Sequence, residues 1–325
     1  TKGEEWRRGW HPERIAPKAV DGSVLIVGAG PAGLEAALAA GRRGHDVILA
    51  DAAEELGGRV TRESRLPGLA AWARVRDYRS YQISQMANVD VYRASLLDAA
   101  QILEFGAAHV AIATGARWRR DGYGRHHQFP IPGTDGDNLL TPDDIMAGLR
   151  PEGVVLVYDD DHYYMGSVIA EQLVADGCQV ILATPASVVA AWTDYTLEQH
   201  RIQARLLEIG VEVIASHELR AITHDSVTLG CVYSGTARSL AVSSVVMTTS
   251  RLPEDKLYQE LAGDSEALRA AGINTLKAIG DCHGPATIAA AVYEGHRFAR
   301  ELGEEASEIP FRRELTELSG KFRLP

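Results

Sequence analysis

Apolar residues fall along this chain in short unbroken runs separated by stretches of helical spacing. Val24–Val27 reads Val-Leu-Ile-Val with no polar position, which predicts a strand covered on both faces. A Gly-Ala-Gly-Pro-Ala-Gly turn follows, and the Ala- and Leu-rich residues after it predict a helix over Pro31–Ala40. A second apolar strand, Asp46–Ala50, then ends at Asp51. The same strand, helix, strand order returns at Val154–Val157, Gly166–Asp176 and Gln179–Ala183. Further short strands are predicted at His109–Gly115 and Ile273–Asp281, and Thr287–Leu302 predicts an amphipathic helix. Pro130–Pro142, rich in Pro, Gly and Asp, predicts a connection. The pattern predicts an α/β protein of two Rossmann-like domains, the second inserted into the first.

The first turn carries the chemistry of a nucleotide site. Gly28 permits the tight turn, Gly30 admits the backbone close to a pyrophosphate, and Gly33 lets the helix pack on the strand. Pro31 and Ala32 start the helix, whose N-terminal amides face the anion. Asp51, with Ala52 beside it at the second strand end, supplies a carboxylate for the adenosine ribose hydroxyls. In the second unit the three glycine positions hold Tyr158, Asp160 and Tyr163, within Tyr-Asp-Asp-Asp-His-Tyr-Tyr. An aspartate about 4 Å from a phosphate costs ~1 to 4 kcal/mol. A helix N-terminus returns only ~0.3 to 1 kcal/mol in exposed settings. Repulsion wins, and NAD(P)H is not expected there; Asp159–Asp161 as a solvated acidic loop leads to the same expectation.

Composition narrows the class further. The 325 residues suffice for two domains, with 46% hydrophobic and 24% charged residues. A formal charge of −11 argues against nucleic acid and anionic membrane as partners. No apolar run approaches the roughly 20 residues of a membrane helix, and a cytoplasmic location is expected. Cys178, Cys231 and Cys282 are too far apart for metal-ligand spacing or a C-x-x-C redox pair. His126, His127 and His283 lack a nearby third ligand, so no metal site is expected. Trp72–Tyr81, dense in Arg, Tyr and Trp, suits packing on another domain or docking of an electron acceptor.

Gly28–Gly33 with Asp51, Leu56-Gly57-Gly58-Arg59, Ala113-Thr114-Gly115 and Ile279-Gly280-Asp281 together resemble flavoproteins of the glutathione-reductase type, with FAD- and NAD(P)-binding domains. Gly3–Glu13, Leu66-Pro67-Gly68-Leu69 with Trp72, Arg76-Asp77-Tyr78-Arg79 and Ala113–Trp118 narrow this. The chain resembles the C-terminal half of the trimethylamine, dimethylamine and histamine dehydrogenases, over essentially its whole length. The resemblance implies a TIM barrel ahead of Thr1 carrying FMN and a 4Fe-4S cluster, where a small amine is oxidised. It also implies electron-transferring flavoprotein as acceptor, a homodimer, and ADP in the first nucleotide domain where related reductases hold FAD. Gly58 and Arg59 would then meet the pyrophosphate, Ala113, Thr114 and Gly115 would line the site, and Asp281 would hold a ribityl chain if FAD is bound.

The C-x-x-C-x-x-C cluster motif is absent, so no catalytic residue is expected in this chain. The expected organisation is a linker over 1–21, an ADP/FAD-binding domain of 22–148 plus 274–325, and a degenerate NAD(P)-binding-like domain over 149–273. Two alternatives remain open: a self-contained FAD-dependent NAD(P)H oxidoreductase, and a non-catalytic module that docks a redox protein.

Overall fold

The computed structural model describes residues 10 and 14–304. Apart from Trp10, the block Gly3–Glu13 lies outside the described residues, as does 305–325. The chain opens with β1 (Val24–Val27), α1 (Pro31–Arg42), β2 (Val47–Ala50), α2 (Arg59–Glu63), α3 (Ala73–Ser84), β3 (Val89–Tyr92), α4 (Ala99–Phe105) and β4 (His109–Ile112). β5 (Ala116–Trp118), β6 (Leu139–Leu140) and α5 (Pro142–Met146) lead into β7 (Val154–Asp159), α6 (Met165–Ala175), β8 (Gln179–Ala183), α7 (Gln199–Glu208) and β9 (Glu212–Ile214). A meander of β10 (His217–Ile222), β11 (Ser226–Cys231) and β12 (Ala237–Ala241) precedes β13 (Ser244–Thr248) and β14 (Arg251–Pro253). α8 (Lys256–Ala262), α9 (Ser265–Ala270), β15 (Thr275–Ala278) and α10 (Ile288–Glu301) follow.

The strands build a mixed α/β fold around two five-stranded sheets, both wholly parallel. The first has the order β15-β4-β1-β2-β3 and the second β6-β13-β7-β8-β9. The chain therefore returns to the first sheet after building the second, with Thr275 opposite His109. β14 pairs antiparallel with β5, forming a two-stranded strap in the segments that pass between the sheets. Leu139–Leu140 pairs with β13, so it belongs to the second sheet although the expected boundary at 148/149 lies after it. Leu261 of α8 and Ile273 pack with Val110 and Ile112 of the first sheet, ahead of the expected return at 274.

β1 is buried at all four positions because helices cover both faces, as a parallel sheet requires. One face packs on α1 and α10, the other on α4 and α8. α10 lies backbone to backbone on α1: a Cβ at Gly295 would stand 2.1 Å from the Ala32 carbonyl oxygen. Buried Glu35 on α1 is satisfied from two other helices, by Arg79 Nε at 2.7 Å and His296 Nδ1 at 2.9 Å. Arg43 donates to the Arg300 and Leu302 carbonyls at 2.9 and 3.1 Å, capping the C-terminal end of α10.

Gly295→Ala tests this packing. Replacing a mid-helix glycine by alanine ordinarily stabilises by roughly 0.5 to 1 kcal/mol. Overpacking against α1 costs ~1 to 3 kcal/mol and should prevail. Urea unfolding should show a lower midpoint for Gly295→Ala, whereas Gly284→Ala, whose methyl meets nothing within 4 Å, should leave it unchanged.

Candidate nucleotide-binding site

In the first sheet β1 has β2 on one side and β4 on the other, so the crevice at its carboxyl end is a topological switch point. A cavity of about 1110 Å³ opens there, lined by Gly28, Gly30, Pro31, Ala32 and the end of β4 at Ala113 and Thr114. The glycines divide the work as their spacing predicts. A Cβ on Gly28, whose φ is +105°, would stand 2.4 Å from the Ala113 carbonyl oxygen. A Cβ on Gly33 would stand 1.8 Å from the Gly28 carbonyl oxygen, so helix and strand touch through backbone alone, behind the cavity rather than in it. A Cβ on Gly30 would meet nothing within 4 Å: it would project into open space. The donors and the room suit a pyrophosphate at the N-terminal end of α1.

Asp51 sits at the end of β2 and fastens the loop. Its Oδ2 accepts from the Ala29 amide at 2.5 Å and its Oδ1 from Ala53 at 2.7 Å. A carboxylate oxygen has two lone-pair sites, so ribose hydroxyls can still bond to it. Ala52 lines the same wall. Gly57 donates to the Ala29 carbonyl at 2.8 Å, and a Cβ on Gly58 would come within 3.1 Å of Gly30 Cα. The second glycine pair thus extends the cradle. Arg59 lines the cavity, but its guanidinium is anchored inward: Nη2 donates to the Ala116 carbonyl at 2.6 Å and Nη1 lies 3.2 Å from Asp143 Oδ1.

The cavity also holds Glu63 and Arg251, which no motif announced, beside Thr114, Gly115 and Asp281, which the motifs did. Glu63, one helical turn from Arg59 and 3.7 Å from it, faces the cavity, and burial raises its carboxyl to about 7 despite that guanidinium. Asp281 is ion-paired with Arg251 Nη1 and accepts from the Ala286 amide at 3.0 Å. Thr114 Oγ1 donates to the Glu254 carbonyl at 2.5 Å, and Gly115, with φ +83°, accepts from the Glu254 amide at 2.9 Å. The i, i+4 pairing of Arg59 with Glu63 was the available signal for the latter; Arg251 had none, because its partner lies 30 residues away.

The second sheet offers the equivalent crevice between β7 and β13, and there the geometry corrects the expected picture. Asp159 and Asp160 are fully buried rather than a solvated loop, and Tyr158 is buried in the core beneath the meander. Asp159 Oδ1 accepts from the His162 amide at 3.0 Å, and burial raises the carboxyl to about 7. That carboxyl lies against the first turn of α6, where a Cβ on Gly166 would come within 2.6 Å of Asp159 Cγ. Asp160 Oδ2 accepts from the His126 amide at 2.8 Å, and Arg125 Nε donates to the Asp161 carbonyl at 3.0 Å. Ser250 donates to the Tyr123 carbonyl at 2.6 Å. Residues 123–127 therefore lie over the ends of β7 and β13. The crevice is filled by the chain itself, and steric occupation adds to electrostatic repulsion. Tyr163 faces the first cavity.

His126 pairs with Glu218 at 2.8 Å, and His283 lies 3.2 Å from Glu294. Among the described residues no three His, Cys, Asp or Glu side chains are placed to hold a metal ion. No described helix is long and apolar enough to cross a membrane. α3, within the Trp72–Tyr81 region, packs on α1 through Arg79 and Glu35 and leaves Tyr78 and Tyr81 exposed.

Comparison with known proteins agrees with this geometry. A family model described as FAD dependent oxidoreductase matches residues 23–96, and one described as OYE-like second alpha/beta domain matches residues 140–248. The fold and this match thus define an FAD-oxidoreductase-like domain within a mixed α/β chain. Dimethylamine dehydrogenase of Hyphomicrobium sp. (strain x) is 35% identical over 342 residues, covering 97% of this chain and 46% of the relative. The structure of histamine dehydrogenase from Rhizobium sp. 4-9 superposes with a TM-score of 0.93 at 50% identity, covering 97% of this chain and 49% of that one. That of 6-hydroxypseudooxynicotine amine oxidase from Pseudomonas geniculata N1 gives 0.89 at 43% identity, covering 93% and 45%. Over nearly its whole length the chain is homologous to the amine dehydrogenases, and it spans about half the length of these relatives.

The buried acids predict how stability depends on pH. Glu63 titrates near 4.5 when unfolded and about 7 when folded, so between these values the folded chain holds the extra proton. Its contribution is fully present below about 4.5 and is lost as pH rises to about 7. Urea titrations across this window should show stability falling with pH, with a shallower slope in Glu63→Gln. An unchanged slope in that variant would place the proton elsewhere.

Proposed function

We propose that this chain is the nucleotide-binding, C-terminal part of a longer amine dehydrogenase. The observation that carries the reading is the cradle open at Gly30, in a chain 50% identical over 97% of its length to a histamine dehydrogenase. We read the segments that build the first sheet as one Rossmann-like nucleotide domain, 139–248 as the core of a second inserted into it, and 1–21 as a linker from a TIM barrel. FMN and a 4Fe-4S cluster in that barrel supply the oxidation of a small amine such as histamine, dimethylamine or trimethylamine, with electron-transferring flavoprotein as acceptor. A cytoplasmic homodimer completes the reading.

In this chain the task is binding. The N-terminal amides of α1 hold a diphosphate, Asp51 accepts from the ribose hydroxyls, and Gly58 closes the wall beside Gly30. Adenine nucleotide there braces α1, β2 and the end of β4 against one another, and our reading assigns ADP. FAD in the same cavity is the second reading, favoured by a volume of about 1110 Å³, above the roughly 300 to 1,000 Å³ usual for ligand sites. A self-contained NAD(P)H reductase needs a second dinucleotide in the crevice that residues 123–127 fill.

Acid release from the purified chain followed by chromatography should yield ADP, near one per chain, without visible flavin absorbance. Stoichiometric FAD would overturn the ADP assignment. Gly30→Val should empty the site by filling its open space, and retained nucleotide would show that the pyrophosphate lies elsewhere.

Titration calorimetry with NADPH and NADH should show no binding up to roughly millimolar concentration. Micromolar affinity would mean that residues 123–127 move aside.

A further inference from the structure

The inner end of the cradle carries an inference that rests on the nucleotide reading above. A Cβ on Gly280 would come within 2.5 Å of Ala32 Cβ, so Gly280 packs on the first turn of α1 and sets Asp281 beside its anion-binding end. The Asp281 carboxylate is already engaged within the chain, by the Ala286 amide and by Arg251. Arg251 is anchored a second time, Nη2 donating to the Ala286 carbonyl at 2.7 Å, and its guanidinium carbon lies 5.7 Å from the Trp118 ring centre. It reaches the cavity from β14, in the strap between the sheets, and is 17% exposed. A guanidinium has five N–H donors, so the two bonds that fix it leave others for a ligand.

We propose that Arg251, held by Asp281, is a specificity determinant that favours a nucleotide ending in a free diphosphate over one that continues into a ribityl chain. A terminal phosphate brings one more negative charge and unshared oxygens, and a fixed guanidinium suits both. A chain continuing past the diphosphate brings neutral hydroxyls instead. These gain nothing from the guanidinium's charge, and they compete with Arg251 for the Asp281 carboxylate.

Calorimetric binding of ADP, FAD and AMP to the 325-residue chain, freed of co-purified nucleotide, tests this alongside Arg251→Gln and Asp281→Asn. The unsubstituted chain should bind ADP at least about tenfold more tightly than FAD, a difference of about 1.4 kcal/mol. Arg251→Gln should weaken ADP and narrow that gap to about threefold or less, leaving AMP unchanged because it lacks the second phosphate. Asp281→Asn removes the ion pair that fixes the guanidinium and should likewise weaken ADP and narrow the gap, with AMP unchanged. An ADP-to-FAD ratio unaltered by Arg251→Gln overturns the role of Arg251, and so does equal weakening of all three ligands in both variants, the mark of a brace. A chain that binds neither ADP nor FAD overturns the nucleotide reading itself, and a preference for FAD in the unsubstituted chain overturns the ADP assignment with it.

Discussion

The contact of Gly33 with the Gly28 carbonyl is the constraint on which the rest depends. No side chain fits where a Cβ would lie 1.8 Å from a carbonyl oxygen, so α1 can leave β1 this sharply only through glycine. The sharp departure aims the first amides of α1 into the crevice between β1 and β4. Asp51 then ties the Ala29 amide to the end of β2, and Gly57 ties the Ala29 carbonyl to the following loop. From the other side α10 presses on the same turn through Gly295. Three segments thus hold one short turn, which fixes the shape of the proposed anion site.

The second sheet repeats the strand arrangement and reverses the outcome. Gly166 keeps the close approach of α6 to the end of β7, but what it approaches is the carboxyl of Asp159. An internal acid stands where an open site would receive a phosphate, and the Asp160 carboxylate binds the backbone of the segment above it. The Asp160 carboxylate and the Asp161 carbonyl are consumed in fastening residues 123–127. One nucleotide-type crevice is open and the other is closed by the fold itself.

Much of the first unit was legible because its signals are local. The unbroken apolar run of β1, the glycine spacing, the helix after it and an acid at the end of β2 lie within one βαβ unit, and each is visible in a short window. The second βαβ unit was legible for the same reason, through β7, α6 and β8. What escaped was set by partners far along the chain. Arg59 reads in the sequence as a residue for the pyrophosphate, and no local window shows that Asp143 and the Ala116 carbonyl also engage its guanidinium. The sequence reads Asp159 and Asp160 as repelling a phosphate, with a solvated loop as the alternative, and only the fold shows them buried beneath residues 123–127. β6 is two residues long, too short for any periodicity to place it in the second sheet.

A crystal structure of the chain grown with ADP tests the central claim most directly. The diphosphate should lie against the backbone of Gly30, Pro31 and Ala32, the ribose on Asp51, with residues 123–127 still seated over Asp160. Nucleotide bound in the crevice between β7 and β13, with those residues displaced and the Gly30 cradle empty, would contradict it.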